Sequence, residues 1–160
     1  MIDVDEQFEV PAPAAVVWQV LADPYAVVGC VPGAAMIGEH TDGSFDTTLT
    51  VRFGPMAVAF QARAVVELDQ HARTGRLSAQ GRDRQGGARF EAEATFSVGD
   101  RPSSSSAVVS MHAQIDISGR LASTIEGGAS VVVKRMSAEF ANCLRARCSA
   151  QSQARPWRGP

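Results

Sequence analysis

Five stretches of this chain alternate apolar and polar residues, and then the period changes once and for good. In Ser44 to Phe53, Phe45, Leu49, Val51 and Phe53 oppose Asp46, Thr48, Thr50 and Arg52. In Ala57 to Asp69 the apolar set is Val58, Phe60, Ala62, Ala64, Val66 and Leu68. A shorter run covers Arg73 to Arg82. In Ala88 to Val98 the set is Phe90, Ala92, Ala94, Phe96 and Val98, and in Ala107 to Ser118 it is Val109, Met111, Ala113, Ile115 and Ile117. A period of two places one set on each face of a strand. Turn signals separate the runs: Gly54-Pro55, Gly86-Gly87 and the polar stretch from Gly99 to Ser106. That spacing predicts an antiparallel, meandering sheet with one apolar face. After Gly119 the apolar residues step by three or four through Leu121, Ile125, Gly128, Val132, Met136, Phe140 and Cys143, which is one face of a long helix. Gly127-Gly128 weakens that helix by about 1 kcal/mol per glycine relative to alanine.

The first forty residues complete the pattern. Ile2, Val4, Phe8 and Val10 alternate with Asp3, Asp5, Gln7 and Glu9 as a half-buried strand, ended by Pro11 and Pro13. Ala14 to Leu21 reads as a short helix with Val17, Trp18 and Leu21 on one side. Asp23 caps a second helix, Tyr25 to Cys30, with Pro24 at its first position. Pro32 disfavours helix at Val31, and Gly33 permits a positive φ, so "CVPGA" (30–34) switches the chain from helix to a strand at Ala34 to Glu39. The order is strand, two short helices, six more strands and one long helix. It predicts an α+β fold in which a curved antiparallel sheet of about seven strands is covered by the C-terminal helix.

Composition narrows the function. A chain of 160 residues fits one domain with a true core, and a net charge of −2 gives no overall pull toward nucleic acid. Aromatic residues make up 6% and are not interleaved with basic ones, and no phosphate-cradling glycine loop or dinucleotide fingerprint occurs. Of the three cysteines, Cys30 stands alone as a buried small hydrophobe, while Cys143 and Cys148 fall on different sides of a helix. This usage fits neither a zinc site nor a disulfide framework and suggests a reducing compartment. The first residues carry no basic and apolar leader, and no apolar run reaches the roughly 18 residues of a membrane span. The reading is cytoplasmic.

The order and several motifs resemble the START-like, helix-grip (SRPBCC) superfamily and, within it, the CoxG family, the G-subunit of carbon monoxide dehydrogenase. The residues that carry the resemblance are "FEVPAPAAVVWQVLADP" (8–24), "CVPGA" (30–34), "VRFGPMAVAF" (51–60), "ARFEAEATFSV" (88–98) and "SGRLAS" (118–123). Glu6, on the inward phase of the first strand, and Gly127-Gly128 depart from the family pattern. The resemblance implies a domain over residues 1–149, and the turn and coil composition from Ala150 onward reads as a mobile basic tail, 150–160. The resemblance also implies an accessory, non-catalytic protein that carries a quinone or other lipid and brings a carbon monoxide dehydrogenase-type molybdenum hydroxylase to the inner face of the membrane. No metal and no covalent cofactor are expected.

Small inward residues, among them Ala62, Ala64, Ala79, Ala92, Ala94 and Ala113, leave space beneath the helix, and ligand pockets are mostly apolar with a few polar groups. The expected cavity lining is Trp18, Val27, Val28, Val31, Met36, Phe53, Phe60, Ala62, Ala94, Phe96, Met111, Ala113, Ile125, Val132, Met136 and Phe140. Expected membrane or partner contacts are Arg145, Arg147, Arg155, Trp157 and Arg158, in a C-terminal region where basic residues outnumber the single Glu139. A solvated helix end whose cations suit the helix dipole explains the same charges. The histidines give no acid–base pair: His40 and His71 fall in turns, His112 has outward parity, and none has a carboxylate at a pairing distance in sequence. Glu6 is the only inward carboxylate, expected at the cavity mouth. A polyketide cyclase or dehydratase-like enzyme is the alternative, and a filled-core adaptor the third reading.

Overall fold

The computed structural model of the chain describes residues 1–101 and 105–153, with side chains through Ala150. Strand β1 (Ile2–Val10) leads into helices α1 (Ala14–Leu21) and α2 (Pro24–Cys30). Six strands follow: β2 (Ala34–Glu39), β3 (Phe45–Phe53), β4 (Met56–Asp69), β5 (Thr74–Asp83), β6 (Arg89–Asp100) and β7 (Ala107–Ser118). Helix α3 (Ala122–Gln153) closes the described chain. The strands form one antiparallel sheet in the order β1-β7-β6-β5-β4-β3-β2, so the first strand returns beside the last. The expected architecture is the observed one.

Local chemistry explains the joints. The Asp23 carboxylate accepts from the Tyr25 amide at 3.0 Å and caps α2, with Pro24 in its first turn. At the Pro32-Gly33 break Gly33 takes φ +79°, and its carbonyl accepts from the Thr50 amide at 2.9 Å. A side chain there would run into the Thr50 carbonyl, so glycine is needed for conformation and for space. Two glycines on β5 serve the curve of the sheet. Gly75 faces Phe96 and Gly81 faces Phe90 across the β5–β6 ladder, and each ring lies where the glycine's side chain would be. At the sheet's other edge, β2 shifts register by a bulge between Met36 and Gly38.

Helix α3 holds 32 residues, about 48 Å. It stays helical through Gly127-Gly128, where Gly128 lies beside the ring of Phe53 with room for a methyl group. It also runs past Ala150 to Gln153, beyond the boundary drawn for the tail. The largest buried cluster lies at its C-terminal half, where Phe140, Leu144 and Cys148 pack on α1 (Val17, Trp18, Leu21), on Cys30 of α2, and on Val10, Val98 and Val109 of the sheet. Around the start of α3, Ile125 packs on Val58, Phe60 and Ala88. A third cluster joins Val28 of α2 to Phe45 and Ala64.

Two expectations fail here. Leu68 shares the inward phase of β4 but is exposed, because β4 outruns the layer that covers it. Cys30 does not stand alone: it forms a disulfide with Cys143, 113 residues later, joining the end of α2 to α3. Spacing along the chain cannot report a meeting between elements so far apart in sequence. The inference of a reducing compartment, drawn from solitary cysteines, loses its basis. Cys148 remains the free thiol, buried, its pKa raised by desolvation.

Candidate functional site

Between the packed ends of α3 the sheet and helix do not meet, and a cavity of about 690 Å³ remains. Its floor follows the strand register. Val66, Leu77 and Ala94 form one row across β4, β5 and β6, continued by Ala113 on β7. The next row runs Gly75, Phe96, Met111 and Glu6. Ala94, with only a methyl group, withholds atoms that would fill the space, while Gly75 makes room for the Phe96 ring. The roof is α3, where Lys134, Ser137, Ala138, Ala141 and Arg145 recur at helical spacing, with Met136 and Phe140 beside them. Leu21, Ala22 and Pro24, with Val27, Val31 and Pro32 of the α2 segment, close the remaining side.

Of the expected lining, the structure brings Val27, Val31, Ala94, Phe96, Met111, Met136 and Phe140 together around this cavity. Trp18 is one layer deeper, its ring 6.0 Å from that of Phe96. Val28 and Met36 belong to the cluster of Phe45 and Ala64. Phe53, Phe60 and Ile125 pack together at the start of α3, away from the opening. Ala62 and Val132 are buried outside the lining, and Ala113 is half-buried beside it. Strand parity gives the face a residue occupies but not its distance along that face from the packed ends.

Polar groups in the lining are few: Glu6, Thr95, Lys134, Ser137, Asn142 and Arg145. Glu6 is there, as its parity indicated. Arg145, expected as a membrane or partner contact, is among them. Its Nε donates to the Glu9 carbonyl at 3.0 Å and its Nη1 to Asn142 Oδ1 at 3.0 Å. The guanidinium carbon lies 5.6 Å from the centre of the Phe8 ring. It is folded against β1 at the cavity and remains partly exposed. Arg147 lies against Gly29 of α2, its guanidinium occupying the space a side chain at residue 29 would take. Arg155, Trp157 and Arg158 lie outside the described residues.

The histidine reading also needs correction. His40 Nε2 lies 2.8 Å from Asp46 Oδ2 across the β2–β3 hairpin, with Arg63 on the other carboxylate oxygen at 3.4 Å. The His40 hydrogen bond is the chief cause that holds Asp46 below its ordinary pKa. This cluster is exposed on the outer face of the sheet. A depression of about 970 Å³ on that face is lined by Asp46, Gln61, Arg63, Arg82, Arg89 and Glu91 among others. Its lining is charged and open, unlike the cavity under α3. Among the described residues, no cluster of three metal-ligating side chains occurs, and no helix is long and apolar enough to cross a membrane.

A curved seven-stranded antiparallel sheet gripping a long C-terminal helix, with two short helices after the first strand, defines a START-like, helix-grip protein. Solved structures of this fold superpose along nearly the whole chain. A conserved protein from Geobacillus kaustophilus matches with TM-score 0.80 at 14% identity, over 94% of this chain and 97% of its own. The Zhui aromatase/cyclase from Streptomyces sp. R1128 gives 0.64 at 16%, over 97% and 98%. A START superfamily protein from Mycobacterium smegmatis gives 0.58 at 16%, over 93% and 98%. These likenesses establish the fold alone. The family is fixed by sequence: the model for CoxG, the carbon monoxide dehydrogenase G-subunit, matches residues 7–149, and the chain belongs to that family. No curated protein matches it.

Proposed function

We propose that this protein carries a hydrophobic molecule, an isoprenoid quinone or other lipid, in the cavity under α3. In this role it serves as a non-catalytic accessory to a carbon monoxide dehydrogenase-type molybdenum hydroxylase at the membrane. One observation carries the reading: a largely apolar cavity of about 690 Å³, floored by Val66, Leu77, Ala94, Phe96 and Met111 and roofed by a helix, lies between two packed ends of the same core. Protein interiors hold few voids larger than a water molecule. A volume in the range of small-molecule sites, lined by methyl and phenyl groups with few polar ones, suits a lipid-like guest. The family's name supplies the partner: electrons leaving a dehydrogenase need an acceptor, and a quinone held in an apolar sleeve is one. The basic end of α3 and the residues beyond it are the proposed membrane contact, each cation near an anionic surface contributing about 1 kcal/mol.

The test is native mass spectrometry with solvent extraction on protein purified without detergent. A co-purified quinone or lipid supports the carrier. A protein that is empty, and stays empty after incubation with quinone-loaded vesicles, refutes it. The partnership is read separately, as the rate at which the partner dehydrogenase reduces vesicle-held quinone with and without this protein. A cyclase- or dehydratase-like enzyme is the second reading, and it rests on Glu6, the carboxylate in the lining. Turnover of a hydrophobic substrate that disappears in Glu6→Gln would establish it.

A further inference from the structure

The carrier reading leaves open how a guest is oriented. Among the described residues, Arg145 is the one group in the lining whose side chain is both charged and fixed at two points by hydrogen bonds of its own. A guanidinium has five N–H donors in a planar fork. Two of the five are spent, one on the Glu9 carbonyl and one on Asn142 Oδ1. Among the described residues no carboxylate lies within ion-pair distance of it. The nearby Glu9 carboxylate is turned to the other face of β1, where Arg101 and the Ser106 hydroxyl hold it. Partly exposed, with three donors to spare, beside Phe8 and against an apolar cavity, this guanidinium can exchange water for an oxygen acceptor on a guest without breaking its own two hydrogen bonds.

Placed on this reading of the cavity as a carrier site, the geometry points to Arg145 as the seat of the ligand's polar head. We propose that its free N–H groups hold an oxygen acceptor, the carbonyl of a quinone ring or the carboxylate of a fatty acid. The apolar chain then lies along the roof of α3 past Ala141 and Ala138 toward Met136. The helix gives the length: Lys134 and Arg145 are 11 residues apart, about 16 Å along the axis. The cavity therefore has a head end, near Phe8 and Arg145, and a tail end. An oriented guest follows from the fixed guanidinium, because the two hydrogen bonds to Glu9 and Asn142 set the plane of its fork before any ligand arrives.

The experiment compares three probes of similar length: decylubiquinone, dodecanoic acid, and undecylbenzene, which has no acceptor oxygen. Each is equilibrated from phosphatidylcholine vesicles with the wild-type chain, Arg145→Gln and Arg145→Lys, and the bound fraction is measured after separation. The expected result is a loss of about tenfold or more for an oxygenated probe in Arg145→Gln, the size of one charge-assisted hydrogen bond. Undecylbenzene should stay within about twofold, and Arg145→Lys should recover part of the loss, since it keeps the charge but not the fork. Loss confined to decylubiquinone assigns the head as a neutral carbonyl, and loss confined to dodecanoic acid assigns it as an anion. Equal loss of all three probes would overturn the proposal, because Arg145 would then merely shape the cavity, and the carrier reading would stand. If the wild-type chain takes up none of the three, the carrier reading itself fails, and this inference with it.

Discussion

The Cys30–Cys143 disulfide closes a loop of 113 residues, and that number sets what its removal should cost. In the chain-entropy treatment, a cross-link lowers the entropy of the unfolded chain by an amount that grows with the logarithm of the loop. For a loop of this length the bridge contributes about 4.8 kcal/mol at 25 °C. For a domain of this size each kcal/mol moves the melting midpoint by roughly 2–4 °C, so the loss is roughly 10–20 °C. The perturbation is the double variant Cys30→Ser/Cys143→Ser, compared with the oxidised parent in thermal and urea unfolding followed by circular dichroism. A thiol titration belongs beside it. Unfolded without reductant the parent should show one reactive thiol, Cys148, and with reductant all three. Folded, the parent should react slowly, because Cys148 is buried and its thiolate disfavoured. Three thiols in the unreduced chain would show that the bridge does not form. One thiol with an unchanged midpoint would refute the entropic reasoning, leaving the bridge as a local tie without global effect.

The remaining predictions concern the cavity, the helix-to-strand break and the acid limb. Ala94→Trp should abolish ligand uptake and cost less than the roughly 1–3 kcal/mol of overpacking a filled core, since room exists beside it; full uptake in a folded variant would place the site elsewhere. Gly33→Ala should lose about 1–3 kcal/mol in urea unfolding, from its positive φ and the Thr50 carbonyl against it; a neutral result would mean the break is remodelled. Asp42 and Asp46 are held below their ordinary pKa, first by the hydrogen bonds from Ser44 and His40 respectively. Their contribution is present above the unfolded value near 4 and lost as pH falls through the lowered folded values. The double variant Asp42→Asn/Asp46→Asn should therefore show a shallower fall in midpoint below pH 4 than the parent, and an identical slope would contradict the assignment.

How much of this was legible in the sequence depends on the range of the signal. Alternation and helical spacing are local, and they delivered the elements, their order and the face each residue occupies. The "CVPGA" turn was readable because proline and glycine act on their own backbone. Position along a face was not readable. Phe60 and Phe96 share an inward phase, yet one packs on Ile125 in a filled end and the other lines the cavity. The meetings that matter at the site are long-range: Cys30 with Cys143, and Arg145 with the carbonyl of Glu9, 136 residues earlier. Arginine at a helix end is a surface residue by composition, and only the fold shows that β1 passes close enough to draw it inward. His40 and Asp46 are six apart, which matches no helical or strand neighbour; a hairpin bend makes them partners.

An open sheet has two margins, here the strands β1 and β2. Along β1 the margin lies near α3. Along β2 it lies near α2, and a straight edge strand offers its unpaired amides and carbonyls to any other strand that drifts by. The bulge between Met36 and Gly38 breaks that row after only a few residues and twists the end of the strand out of line. Any protein present at high local concentration must tolerate collisions with its own copies. The irregularity at the end of β2 lets this one do so, by denying a second sheet the regular ladder on which fibre-like growth depends.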